Sequence, residues 1–243
     1  MLARRDVGSG PPLLLVHGGL GPRATWAAQE PLAERWRLTI PWRRGFGDSP
    51  PTDRQDFQDD AADLADLLGA ECPHAVALSY GVLGLLIAAG RAPGSVRSLT
   101  LIEPPLWSLA PDHPDVAALA TLSETYVAGA SDSEWLAEFE RIAGVGGATA
   151  GSLGGELEEA RRMARDLRRP DEAQPDLAAI NAAGVPVLVV SGGHHPGLEV
   201  VCDELAGRLG AQRERVEGAG HAAQRAPGFN DVLESFLRHA EGS

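Results

Sequence analysis

Ser79, His221 and Glu103 are the residues of this sequence whose types and settings could together carry out acyl transfer. Ser79 stands in Ala77-Leu78-Ser79-Tyr80-Gly81, between an apolar strand-like run and an apolar helix-like run. A corner that sharp holds its serine in a strained backbone conformation, and small residues two before and two after, Ala77 and Gly81, relieve the crowding. The corner also puts the hydroxyl at a helix N-terminus, where free N–H groups favour developing negative charge. The plain alternative is a serine that caps a helix after a strand, a frequent arrangement.

A serine nucleophile needs a base, and the base needs an orienting acid. His221 closes Gly218-Ala219-Gly220-His221, past the last strand-like run and before the final helix. Of the seven histidines, it alone combines that setting with the chain order of nucleophile first and base last. His74 precedes a strand at the far end of a sheet, His113 lies mid-chain and His239 in the tail; these three read as surface residues. Glu103 ends the run Ser98–Ile102, where a carboxylate is costly unless paired, so His221 is a fitting partner. Anchoring the segment that follows, or pairing with an arginine, would also satisfy Glu103. Asp203 is a weaker substitute, since it lies a turn into a later helix.

Stabilising an oxyanion takes two N–H donors aimed where charge develops. His17-Gly18-Gly19-Leu20-Gly21 follows an apolar strand and supplies paired glycines. The donors expected are the backbone N–H groups of Gly19 and Tyr80. An ordinary glycine-rich turn is the alternative reading of this stretch.

These residues need a scaffold that gathers strand ends. Short apolar runs at Leu13–Val16, Leu38–Ile40, Ala75–Leu78, Ser98–Ile102, Val185–Val190 and Arg213–Val216 alternate with helical patterns, which predicts a mostly parallel sheet flanked by helices. One apolar stripe, Phe57, Ala61, Leu64 and Leu68, should end at Gly69; another, Leu198, Cys202, Leu205 and Leu209, should end before Gly210. Phe229, Val232, Leu233, Phe236 and Leu237 predict a closing helix, and Val82–Ala89, apolar all round, predicts one buried on every side. The stretch 104–181 breaks the alternation. It holds helical patterns at Asp115–Val127, Glu134–Ile142 and Glu156–Leu167 but no strand, and reads as a helical cap over a core made of 1–103 and 182–243. Gly144, Val145, Gly146 and Gly147, with Gly151, Gly154 and Gly155, would serve as flexible joints. A pocket under the cap would be lined by Leu20, Leu106 and Trp107, with Tyr80, Trp135 and Met163 nearby. Plain packing is the alternative for the tryptophans.

Composition narrows the partners. The chain has 243 residues, a formal charge of -13, and arginine as its only strong base. Nucleic acid and anionic membrane are poor partners for such a charge. No apolar run is long enough to span a bilayer and no leader precedes the first strand, so a cytoplasmic monomer or homodimer acting on a small molecule is expected. Cys72 and Cys202 are expected to be free core thiols rather than a disulfide. No cofactor is expected. Nor is a metal, since His194 and His195 are adjacent and neighbouring side chains do not readily share one ion.

With His17-Gly18-Gly19, Arg43-Arg44-Gly45-Phe46-Gly47-Asp48-Ser49, the Ser79 corner and Gly218 to His221 in this order, the chain resembles the α/β-hydrolase superfamily along nearly its whole length, in its serine-nucleophile, esterase- or lactonase-like branch. The resemblance implies the α/β-hydrolase fold, a mostly parallel sheet of about seven or eight strands with a small helical cap inserted after the sixth, and a first strand missing from a short N-terminus. It departs from the family pattern at Ala77, Leu78 and Val82, and at His195, where the acid is expected after the strand Val185–Val190. Haloalkane dehalogenases are similar in placing the acid after the strand equivalent to Ser98–Ile102, which supports Glu103. The serine separates this chain from dehalogenases and epoxide hydrolases, which use aspartate. It implies a hydrolase of esters, lactones or thioesters, with C–C bond cleavage, a non-hydrolytic biosynthetic role or simple ligand binding as the alternatives.

Overall fold

The computed structural model describes residues 1–127, 155–164 and 167–242. Seven strands form one sheet in the order β1-β3-β2-β4-β5-β6-β7. They are β1 (Arg4–Val7), β2 (Pro12–Val16), β3 (Arg37–Pro41), β4 (His74–Leu78), β5 (Ser98–Ile102), β6 (Val187–Ser191) and β7 (Gln212–Arg215). All pairs are parallel except β1 with β3. The helices, in chain order, are α1 (Pro22–Trp26), α2 (Phe57–Glu71), α3 (Gly81–Arg91), α4 (Pro114–Val127), α5 (Gly155–Ala164), α6 (Leu177–Ala182), α7 (Pro196–Leu209) and α8 (Phe229–Glu241).

The two-residue period of a strand sorts its side chains onto two cores. Leu14, Val16, Ala75, Ala77, Leu99, Leu101 and Val189 face α2, α3 and α7. Leu13, Leu15, Val76, Leu78, Ile102, Leu188 and Val190 face Trp26, Trp36 and the apolar side of α8. Every residue from Gly81 to Gly90 is buried, so α3 is sheathed on all sides as its sequence requires.

Several boundaries depart from expectation for identifiable reasons. The strand β1 was not expected, because Arg4-Arg5-Asp6-Val7 is polar and exposed; it joins the sheet through its backbone alone, antiparallel to β3. The seven strands fall within the expected seven or eight, whereas the helical segment follows the fifth strand rather than the sixth. Gly69 does not stop α2, which runs on to Glu71 and ends where Cys72 turns left-handed (φ 47°), its N–H donating to the Leu68 carbonyl. The expected helix over Glu134–Ile142, Trp135, and the joints at 144–147, 151 and 154 lie outside the described residues. Within the segment 104–181, Leu106, Trp107, Leu109, Val116 and Ile180 belong to the α2–α3–α7 core. Both cysteines are free, Cys202 buried and Cys72 half-buried. No described helix is long and apolar enough to cross a membrane.

His74 corrects the expectation of a surface residue. It is 0% exposed, with Nδ1 2.7 Å from Ser98 Oγ and Nε2 3.0 Å from Glu241 Oε1, and its ring meets Trp36 edge-on. As the first residue of a central strand, it lies beneath the last turn of α8, which shields it from water. Burial lowers its pKa from 6.5 despite the opposing hydrogen bond and charge of Glu241. His17, also 0% exposed, is lowered well below 6.5 by burial and then by the charge of Arg43.

Both histidines are therefore neutral in the folded chain and take up protons on unfolding once the pH falls below 6.5. A folded-state pKa below the unfolded one gives stability that is present above 6.5 and lost as pH falls. The urea midpoint should drop between pH 7 and pH 5, with each histidine contributing up to about 1.4 kcal/mol per pH unit. A midpoint that stays level over that range would show that neither ring is held neutral.

Candidate active site

Two adjacent strands end in the same unusual way. Leu78 on β4 pairs with Ile102 on β5, and the residues that follow, Ser79 and Glu103, both have left-handed backbones (φ 52° and 51°). Such a conformation is strained for residues with a Cβ and persists only where neighbours over-determine it. The Ser79 N–H donates to the Ile102 carbonyl at 2.8 Å, and the Glu103 N–H to Val190 at 2.9 Å, so each corner is pinned to the next strand. Packing explains Gly81 in the serine corner: a Cβ there would stand 2.3 Å from the His17 carbonyl oxygen.

Glu103 is fully buried. Its Oε1 accepts from the Gly192 N–H at 2.6 Å, and its Oε2 lies 3.2 Å from Nδ1 of His221. Burial pushes the Glu103 carboxyl up, but the hydrogen bond and charge of His221, the Gly192 N–H and His194 together bring it below its ordinary value. The carboxylate is therefore the stable form, and it assigns the proton on His221 to Nδ1. No arginine bonds Glu103 among the described residues, so of the options open to it the structure selects the histidine. Asp203 is bonded instead to Arg213 at 2.8 Å. Ser79 is half-buried, and among the described hydrogen bonds none joins its hydroxyl to His221, a contact that in unliganded sites is often long.

The loops that carry Glu103's partners touch where both lack side chains. A Cβ on Gly192 would fall 1.8 Å from the Gly220 carbonyl oxygen. Only glycine lets the β6 loop and the His221 loop close to this distance.

On the other side of Ser79, the His17–Gly21 loop is locked from below. His17 Nδ1 lies 2.8 Å from the Leu20 carbonyl, and its Nε2 accepts from the Arg43 N–H at 2.9 Å. Arg43, 1% exposed, donates to the Gly18 carbonyl, to Asp60 and to Gln55, each at 2.6 Å. In a trans peptide the carbonyl and the next N–H point opposite ways. Holding the Gly18 carbonyl toward Arg43 therefore turns the Gly19 N–H away from Arg43, and that N–H and the Tyr80 N–H donate no described hydrogen bond. The steric need for glycine falls on Gly18, whose Cβ would stand 2.9 Å from the Leu78 carbonyl oxygen. A Cβ on Gly19 would meet nothing within 4 Å.

The expected lining residues are placed unevenly. Leu20 is half-buried, Leu106 and Trp107 are packed into the core, and Met163 on α5 lies against Gly45. Tyr80 is buried with its hydroxyl donating to the Gln55 and Arg168 carbonyls, and burial raises its pKa. His195 caps α7, its Nδ1 accepting from Gly197 at 3.1 Å. Sequence reasoning passed over its neighbour. His194 brings Nδ1 to 3.7 Å from Glu103 Oε1, and its ring centroid is 6.1 Å from that of His221. The signal for it was its place just after two glycines at a strand end. Arg43 and Asp60 were also missed, since nothing local marks an arginine as buried.

Replacing Gly192 with alanine should force the two loops apart and cost about 1–3 kcal/mol of stability. The low-field proton resonance of His221 Nδ1–H should weaken or vanish in this variant. An unchanged resonance would mean that the close approach does not position the imidazole.

The sequence profile of the alpha/beta hydrolase family matches residues 13–229. Comparison with curated proteins finds no match. Among solved structures, the chain is similar to a bromoperoxidase from Bacillus anthracis (22% identity, 97% of this chain and 94% of that one, TM-score 0.79). It is similar to the N-acyl homoserine lactonase AidH (22% identity, 98% and 93%, TM-score 0.76) and to a thermophilic esterase from Thermogutta terrifontis (22% identity, 98% and 93%, TM-score 0.73). Likeness at these identities establishes a shared fold.

Proposed function

The chain belongs to the alpha/beta hydrolase family, and on that footing we propose that it is a serine hydrolase cleaving an ester, lactone or thioester bond in a small, largely apolar substrate. The observation that carries the reading is the bond between Glu103 and His221 beside the left-handed Ser79 corner. Ser79 Oγ attacks the carbonyl carbon while His221 Nε2 takes the hydroxyl proton. The N–H groups of Gly19 and Tyr80 hold the oxyanion. As it collapses, the leaving group receives the proton from His221 and departs, leaving an acyl-enzyme. Water, deprotonated by the same imidazole, then releases the acid and restores the serine. Glu103 fixes the Nδ1–H tautomer and stabilises the imidazolium at each transfer. In this reading residues of the 104–181 segment serve as the cap and the half-buried Leu20 stands toward the substrate, while Leu106 and Trp107 are packed into the core. Esterase and lactonase, the names of two structural neighbours, belong to this reaction class.

The bromoperoxidase neighbour names a different chemistry on the same fold, and a scaffold alone does not choose between them. Ester turnover without peroxide or halide separates hydrolysis from that chemistry, and a fluorophosphonate probe separates both from simple ligand binding, since an activated Ser79 is labelled and a plain binding pocket is not.

Against a panel of short aryl esters and lactones, Ser79→Ala should lose about a thousandfold or more in kcat. Glu103→Gln, which keeps a hydrogen-bonding group but not the charge, should lose about a hundredfold or more with a smaller effect on KM. Turnover by Ser79→Ala equal to the parent would overturn the proposal, as would the absence of labelling.

A further inference from the structure

We propose that Glu103, His194 and His221 form a transition-metal site, suited to Zn2+, whose occupation shuts off the serine chemistry. The metal-binding half stands on geometry alone; the inhibitory half rests on the function proposed above.

One carboxylate oxygen and one ring nitrogen from each histidine lie within 4.8 Å of one another. Tetrahedral zinc with bonds of about 2.0–2.2 Å sets its donors about 3.3–3.5 Å apart. The two carboxylate–imidazole separations, 3.2 Å from His221 Nδ1 to Oε2 and 3.7 Å from His194 Nδ1 to Oε1, lie on either side of that spacing, each imidazole facing its own oxygen of the one carboxylate. The remaining edge, between the two imidazole nitrogens, is also no longer than 4.8 Å. Two imidazoles and one carboxylate are the donor set of an open zinc site, with a fourth position left for water or another ligand.

Two further observations point to a cation. Glu103 is fully buried, and its ion pairs among the described residues are with these two histidines, with no guanidinium bonded to it. Second, both ring nitrogens of His194 are buried and make no described hydrogen bond, on a side chain 15% exposed. A buried polar group without a partner is costly. A divalent cation beside Glu103 would satisfy the carboxylate charge and one of these nitrogens at once.

The consequence for the base follows from its tautomer. In the metal-free site His221 carries its proton on Nδ1 and presents a lone pair at Nε2. Zinc on Nδ1 needs the lone pair there, so the ring proton moves to Nε2. An Nε2–H cannot accept the Ser79 proton. The metal thereby disables the base, and a chelator restores it with no net change of protons on the ring.

Equilibrium dialysis against Zn2+ tests binding directly, and ester turnover with and without zinc tests its effect. The parent protein and Ser79→Ala should each hold one zinc per chain at this site. His194→Ala should bind about tenfold more weakly or worse, keep measurable metal-free turnover, and resist zinc at concentrations that silence the parent. His113→Ala, half-buried and not one of the three proposed ligands, serves as the control and should bind as the parent does. No binding by the parent, or equal binding by His194→Ala, would overturn the site. Full ester turnover by Ser79→Ala would remove the hydrolase reading while leaving the dialysis result to decide the metal site on its own.

Discussion

Arg43 is the constraint around which the site is built. A guanidinium sealed from water is held by three short bonds, to the carboxylate of Asp60 on α2, the side chain of Gln55 and the carbonyl of Gly18. Taking such a pair out of water costs much of what its attraction returns, so its net contribution to stability is small. What it supplies is order. One side chain fixes the second helix, the loop before it and the backbone beneath Ser79 in a single arrangement. It also lies 5.4 Å from the ring of Tyr80, whose hydroxyl ties the same loop to the carbonyl of Arg168. Burial raises the Asp60 carboxyl and Arg43 lowers it, with burial the larger influence. The pair is thus a place where the fold commits electrostatic energy to geometry.

The strand ends are the complementary half. Left-handed residues at consecutive strand termini cost of order 1–3 kcal/mol each, and β4 and β5 hold both through neighbouring backbone bonds. The expense has a geometric result. Each chain reverses sharply enough to leave its last side chain at the lip of the sheet, and paired register sets the serine and the glutamate side by side. The imidazole then has one place to sit, delivered by a loop that only glycine allows to approach.

How much of this was legible follows from the range over which each interaction acts. Central strands and α3 are written in contiguous apolar runs, and β2 to β6 were found from them within a residue or two; β7, polar at Gln212–Arg215, was found only through the alternation of strands and helices. β1 was not, because an edge strand of Arg4-Arg5-Asp6-Val7 is chosen by backbone pairing and carries no apolar signature. Gly69 failed as a stop signal because the left-handed turn came three residues later, at Cys72. Ser79, Glu103 and His221 were readable because corner chemistry and chain order constrain residue type. His74, Arg43 and His194 were not. Their surroundings come from segments up to 167 residues away, and no local pattern encodes such a partner. His195 drew attention instead of His194 because sequence position cannot tell which of two adjacent side chains faces inward.

The clamp on His74 has a consequence for how the chain must be made. The residue that begins the serine-bearing strand meets its carboxylate partner only in the closing helix, at Glu241. The 3-10 turn near Gln29 likewise waits for Gln224 and Asn230. As the polypeptide emerges from the ribosome, the N-terminal half of the sheet therefore exists for most of synthesis with these polar groups unmatched. Docking of α8 and the loop before it supplies the partners of Gln29 and Glu241's contact with His74, tying early parts of the chain to late ones.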